Sequence, residues 1–139
     1  MGIDFGEKRI GVAVSDASNT LAVPLETLAR RIGKRPPYAR LVELLEAHEV
    51  GQLVIGLPLG LDGTENAWCA EVRAMGARLA ERAELPVAWM DERMTSVRAE
   101  RAVRSSGLGK SRREERGRVD MAAAQLILQA WLDHPETAR

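Results

Sequence analysis

An aspartate stands in the first extended stretch of the chain, Gly2-Ile3-Asp4-Phe5-Gly6, where a core strand would normally carry an apolar residue. Strand interiors select against Asp, and a carboxylate taken into a sheet costs several kcal/mol unless it is paired or binds a cation. An edge strand turning Asp4 to water would avoid that cost, but would leave Gly6 without a role. Glycine two residues on lets the backbone bend and a ligand approach the main chain. Asp-x-Gly after a strand start therefore suggests a metal or phosphate site. A second acidic pair, Asp91-Glu92, followed by Arg93, ends the apolar run Val87-Ala88-Trp89-Met90. Ligands gather at the carboxyl ends of parallel strands, so acids there stand where a site would form. The third acid, Asp120, shares a helical face with Ala123, Ala124, Ile127, Leu128 and Trp131. A helical acid ordinarily faces solvent, but this one heads the apolar stripe that must dock on the sheet. The small residues Ala122-Ala123-Ala124 allow close approach toward the strand that carries Asp4.

Three carboxylates converging on one edge of a sheet would repel one another, and a hard divalent cation with oxygen ligands relieves that repulsion. Mg²⁺ or Mn²⁺ is the expected ion. No His-His or Cys-Cys spacing supports zinc, because His48 and His134 are isolated. The partner follows from charge distribution. The net charge is zero, yet from Arg98 to Arg118 eight basic residues face only Glu100, Glu114 and Glu115. Such a stripe is ordinarily a solvated helix face, but leading into Asp120 it reads as the footprint of a phosphodiester backbone. Lys110, Arg112, Arg113 and Arg116 are the expected phosphate clamps there, with Lys8, Arg9 and Arg93 beside the acids.

Composition bounds the rest. At 139 residues, with 45% apolar and 29% charged residues, the chain reads as one globular domain over 1–139. No apolar run approaches a membrane span, so no membrane association is expected. The lone Cys69 points to a reducing compartment and hence the cytoplasm.

The elements that must position the acids follow from hydrophobic period. Asp4 to Asp16 reads as a hairpin interrupted at Gly6-Glu7-Lys8, and a third strand follows at Leu21 to Leu28, giving an antiparallel meander. Pro36-Pro37 opens a helix that carries Leu41, Leu44, Leu45 and His48, and Gly51 is expected to end it. Leu53 to Leu57 has the unbroken apolar pattern of a central strand. A helix from Glu65 to about Arg82, a strand at Val87 to Met90, a helix from Thr95 to about Ser105 and a loop at Ser105 to Gly109 come next. A last helix opens with the capping box Ser111-Arg112-Arg113-Glu114 and runs to about Asp133. Strand–helix–strand connections favour parallel pairing, so an α/β fold is expected: three antiparallel strands, then two parallel ones, flanked by helices. Trp68, Trp89 and Trp131 are read as core residues.

Four separated stretches carry a family resemblance: Gly2 to Asp16; Val54-Ile55-Gly56-Leu57-Pro58-Leu59 with Asp62-Gly63-Thr64; Asp91-Glu92-Arg93-Met94-Thr95-Ser96; and Asp120-Met121-Ala122-Ala123-Ala124 through Ile127-Leu128-Gln129. Together, in this order and over nearly the whole chain, they resemble the YqgF (RuvX-like) family. That family is described as Holliday junction resolvases and as nucleases that process the 5′ end of the 16S ribosomal RNA precursor. The resemblance implies a ribonuclease H-like fold with a five-stranded mixed sheet. It also implies a metal-dependent nuclease whose acids fall on Asp4, Glu92 and Asp120, with Asp91 as an optional further ligand. Glu7 departs from the family's usual Thr, which adds negative charge near the site. The first strand begins several residues earlier in the family, so a very short one is expected here.

The expected chemistry is water attack on a phosphodiester, with one ion or two held by the acids. An RNA precursor, branched DNA or single-stranded DNA would each serve as substrate. A four-way junction cut on two strands suits a homodimer, whereas trimming an RNA precursor needs one active site. Two rivals remain. Asp-x-Gly before a hairpin also resembles the phosphate loop of actin-like and sugar-kinase phosphotransferases, which need two such lobes. A non-catalytic RNA or ribosome-assembly factor on a nuclease-like scaffold is the other, since fold does not prove activity.

Overall fold

Short turns close the first three strands, β1 (Gly2–Phe5), β2 (Arg9–Ser15) and β3 (Ala22–Ala29), into the expected antiparallel meander. These come from a computed structural model that describes residues 1–94 and 112–139, and the side chains of all of these except 94 and 112–118. The Gly6 amide donates to the Arg9 carbonyl at 2.8 Å and closes the first turn. In the second, the Asp16 carboxylate accepts the amides of Thr20 and Leu21, at 2.9 and 3.2 Å. Those hydrogen bonds hold the Asp16 carboxyl below its usual range.

α1 (Tyr38–Ala47) follows Pro37, β4 (Leu53–Leu57) is buried along its whole length, and α2 (Ala67–Ala83) precedes β5 (Val87–Asp91). The Asn66 side chain accepts the Cys69 amide at 2.9 Å and caps α2, so this helix begins two residues beyond the expected Glu65. The end of α1 also differs from expectation. The helix stops at Ala47, and Glu49, not Gly51, takes the left-handed conformation beyond it, at φ 50°. Leu44 and Leu45 have by then completed the buried stripe, leaving His48 exposed. After β5 comes a short 3₁₀ turn, Glu92–Met94, and the last helix, α3, covers Arg112–Asp133. The expected helix from Thr95 to Ser105, the loop Ser105–Gly109, Lys110 and the Ser111 cap lie outside the described residues.

The sheet order is β3-β2-β1-β4-β5, with β1, β4 and β5 parallel, which is the five-stranded mixed sheet expected. Side-chain alternation divides it into two faces. Ile3, Phe5, Ile10, Val12, Leu53, Ile55 and Leu57 pack with α1 and α2. Ala13, Val54, Ala88 and Met90 pack with Ala123, Ala124, Ile127 and Leu128 of α3. Edge strand β3 tolerates Pro24, whose missing donor would break an interior ladder. The α3 side chains also grip that edge: Gln129 accepts the Ala22 amide at 2.9 Å and Gln125 donates to the Ala22 carbonyl at 3.0 Å.

Glycine on the strands lets α3 lie close. A β-carbon on Gly2 would come within 2.6 Å of the Leu128 β-carbon, and one on Gly11 would collide with the Asp120 carbonyl oxygen. Because the obstacle at Gly11 is backbone, the helix itself would have to shift. Gly11→Ala should therefore cost about 1–3 kcal/mol, whereas Gly51→Ala, with open space around it, should leave stability unchanged within about 1 kcal/mol. Denaturant unfolding of both variants checks this, and equal midpoints would refute the close contact.

Candidate active site

Asp4 sits in the middle of a row of three residues that runs across the sheet. Its antiparallel partner on β2 is Gly11. On the other side β1 pairs with β4 as Gly2–Val54 and Ile3–Ile55, and one further step of that register sets Asp4 level with Gly56. Alternation places Asp4 on the face of Gly2, the face covered by α3. A buried carboxylate thus has a residue without a side chain on each flank, and each flank admits another acid. The backbone of Asp120 lies over Gly11, while the Glu92 carboxylate lies over Gly56, 3.0 Å from where a β-carbon would stand. Glu92 is itself buried. The fold therefore brings Asp4, Glu92 and Asp120 to one face at the carboxyl ends of β1 and β5.

Beside this row is an open cleft of about 390 Å³, lined by Asp4, Gly6, Lys8, Arg9, Trp68 and Asp120 among others. The Arg9 Nε donates to Asp120 Oδ2 at 3.0 Å, in a pair that is only partly exposed. That contact neutralises Asp120 and holds its carboxylate toward the cleft. A wider cleft of about 740 Å³ lies at the other end of the sheet, by Met1, Asp16 and Trp131. Of its two acids, Asp16 and Glu49, Asp16 is taken up by turn amides.

The donor chemistry of the row suits Mg²⁺ or Mn²⁺, since all three candidates are carboxylates and both histidines are exposed elsewhere. Among the described residues, however, no three His, Cys, Asp or Glu side chains stand close enough together to hold an ion. The acids share a face but are not drawn into a cage, and Arg9 competes for one of them.

A family model described as "RuvX: Holliday junction resolvase" matches residues 1–134. The chain belongs to the RuvX family. Among curated RuvX-like relatives named "Putative pre-16S rRNA nuclease", one from Chromobacterium violaceum is 41% identical over 138 residues, covering 99% of each chain. Another from Maridesulfovibrio salexigens is 38% identical over 132 residues, covering 95% of this chain and 96% of its own. A solved structure of Thermus thermophilus RuvC with a Holliday junction substrate superposes with a TM-score of 0.58 at 18% identity, covering 99% of this chain and 96% of that one. At that identity the likeness is one of fold, and the fold is ribonuclease H-like.

Other residues of this RuvX chain fall differently from expectation. Alternation along β5 sends Asp91 to the face of Val87 and Trp89, away from the acid row. There it is buried and ion-paired to Arg93 at 2.7 Å, with Arg139 at 3.6 Å. Arg93 also donates to the Leu61 carbonyl at 3.1 Å. Asp91 is thus not gathered with the candidate ligands, and Arg93 is engaged in the fold, not turned to a phosphate in the cleft. Lys8 lines the cleft and is exposed, as a phosphate contact must be. Arg112, Arg113 and Arg116 belong to α3, but their side chains, like the whole of Lys110, lie outside the described residues.

Two cleft neighbours escaped the sequence reading. Trp68, expected in the core, is half-buried: it packs against the core and also lines the cleft. Arg30 lies 6.0 Å from the Trp68 ring centroid and donates to the Gly6 carbonyl at 3.1 Å. Its signal in the sequence is the basic run Arg30-Arg31-Ile32-Gly33-Lys34-Arg35 directly after a strand.

Burial works to raise the Asp91 carboxyl, but hydrogen bonds from Arg93 and the charges of Arg93 and Arg139 outweigh it and leave the carboxyl below its usual range. A depressed folded-state pKa contributes stability above the unfolded value of about 3.9 and loses it as pH falls through the folded value. Asp91→Asn should lower neutral-pH stability by about 1–3 kcal/mol and flatten the acid limb of the stability profile below about pH 3.9. Thermal melts across pH would test this. An unchanged acid limb would show that the pair contributes nothing.

Proposed function

We propose that this chain is a divalent-metal-dependent nuclease that hydrolyses phosphodiester bonds in structured nucleic acid, acting in the cytoplasm. Processing of the 5′ end of the 16S rRNA precursor is its principal reaction, and branched DNA is the second substrate class. The observation that carries this reading is the acid row, with Asp4 between two glycine-cleared flanks and Glu92 and Asp120 above them, beside a cleft edged by Lys8 and Arg9. Relatives near 40% identity over almost their full length bear the rRNA nuclease name, which favours RNA over the junction.

Asp4, Glu92 and Asp120 would hold the cation. When bound, it offsets the charge that develops on the phosphoryl oxygens. Buried Asp4 supplies a fixed carboxylate on a strand, and the ladder bonds of β1 give it little room to move. Lys8 and Arg9 position the phosphate from the turn and contribute no base reading. Arg9 also acts on the acids: without substrate it neutralises Asp120, and on moving to a phosphate it releases that carboxylate. Residues 1–139 act as one catalytic domain in this scheme.

The test compares wild type with Asp4→Asn on labelled precursor RNA, single-stranded DNA and a four-way junction, with Mg²⁺ or Mn²⁺. Cleavage should need the metal and fall at least about 100-fold in the variant, since even residues that only support metal ligands cost 10–100-fold. Equal cutting by the variant would refute the assignment. Arg9→Ala should bind Mn²⁺ several-fold more tightly by calorimetry while binding RNA more weakly; unchanged Mn²⁺ affinity would remove Arg9 from the scheme.

The Arg9–Asp120 pair also favours one second reading, in which Asp120 is structural and the protein is a non-catalytic RNA-binding assembly factor. Wild type that binds RNA but cuts none of the three substrates would establish it.

A further inference from the structure

We propose that the cleft between the β3–α1 connection and α2 binds the phosphodiester backbone of the substrate strand outside the bond that is cut. This rests on the nucleic-acid reading above and gives that substrate a path across the protein.

The cleft, of about 280 Å³, is lined by Arg30, Lys34, Arg35 and Arg78, with Tyr38 and the acid Glu71. Four cations against one acid make a local excess of positive charge in a chain whose net charge is zero. Several of the other described arginines are matched: Arg40 to Glu26 and Glu43, Arg73 to Glu65, and Arg93 to Asp91. Lys34, Arg35 and Arg78 are exposed and form no ion pair among the described residues. A solvated surface that evolved only for solubility would intersperse the two signs. Here one sign is gathered around a concavity, which focuses the field on whatever enters it.

The backbone that carries Lys34 and Arg35 is also held in place. The Lys34 amide donates to the Arg31 carbonyl at 3.0 Å, with Gly33 supplying the positive φ of 72° that this turn needs. The Arg30 side chain donates to the Lys34 carbonyl at 3.0 Å, and Pro36 and Tyr38 are buried beneath the connection. The whole segment is strapped to the active-site turn, because the Arg30 amide donates to the Lys8 carbonyl at 2.7 Å.

Arg30 joins the two clefts. It lines the basic one, and its guanidinium reaches Gly6 and the Trp68 ring, both of which line the acid cleft. A strand leaving Asp4 over the β1–β2 turn would pass Lys8 and Arg30 and then enter the field of Lys34, Arg35 and Arg78. Phosphate contacts of this kind position a strand and carry no sequence information. The path serves any single strand, and RNA and DNA arms of the test separate the two.

The experiment measures binding by fluorescence anisotropy in the Asp4→Asn background, so that no cleavage intervenes, with and without the triple change Lys34→Ala, Arg35→Ala and Arg78→Ala. Probes are a long single-stranded RNA, its DNA counterpart, and a hexanucleotide that spans the acid cleft alone, each between about 50 and 200 mM salt. The triple variant should bind the long strands about tenfold more weakly at low salt, and the slope of log affinity against log salt should fall by about 2. Hexanucleotide binding should not change. An unchanged slope on the long strands, an equal loss on the hexanucleotide, or no binding of any strand by the protein with its cleft intact would each overturn the proposal. Absence of cleavage by wild type would instead sink the nuclease reading, and the salt slopes would still decide this one.

Discussion

Backbone contact between α3 and the sheet at Gly11 is the constraint on which the site depends. Asp120 cannot reach the neighbourhood of Asp4 unless the helix lies within carbonyl distance of β2, and only a residue without a β-carbon allows that. The same device recurs on β4, where Gly56 leaves room for Glu92. Apolar burial of Ala123, Ala124, Ile127 and Leu128 supplies the free energy that presses the helix down. The glycines decide how far down it goes. A sheet surface of valines would bury as much area yet hold the helix, and with it the third carboxylate, away from the row.

Electrostatics then sets the remaining arrangement. The fold sorts the four candidate acids, Asp4, Asp91, Glu92 and Asp120, by face. Asp91 goes to the α2 side and is matched by Arg93 and Arg139, so it acts as a tie between β5, the loop at Leu61 and the chain terminus. Asp4, Glu92 and Asp120 go to the α3 side, where Arg9 pairs with Asp120. The strong bidentate pair of Asp91 with Arg93 lies one residue away from Glu92, on the opposite face.

The candidate site lies at the carboxyl end of the parallel strands, where ligands of such sheets gather. The β1–β2 turn, the start of β2 and the basic connection after β3 all meet there, because a meander returns its turns to the same end on alternate crossings. Arg30 is the point of contact between them. No helix among the described residues is long and apolar enough to cross a membrane, and the one cysteine, Cys69, is buried with its thiol on the Pro58 carbonyl at 3.2 Å.

Much of this was legible in the residues themselves. Alternation in β2, the unbroken apolar run of β4 and the 3.6-residue stripe of α3 each report which surfaces are buried, since burial is local chemistry repeated at the period of the backbone. The misfit acids Asp4 and Asp120 were legible for the same reason: charge in an apolar pattern needs a cause. Three things were decided only by tertiary structure. The face to which Asp91 turns, and with it the ion pair to Arg93, depended on the alternation of β5, and a one-residue step reverses that. The pairing of Arg9 with Asp120 joins positions 111 residues apart, and no local pattern encodes such a contact. Arg30 and its basic connection gain meaning from the turn they rest on, because the charge of a side chain is written in the sequence while its neighbours are set by how the chain folds.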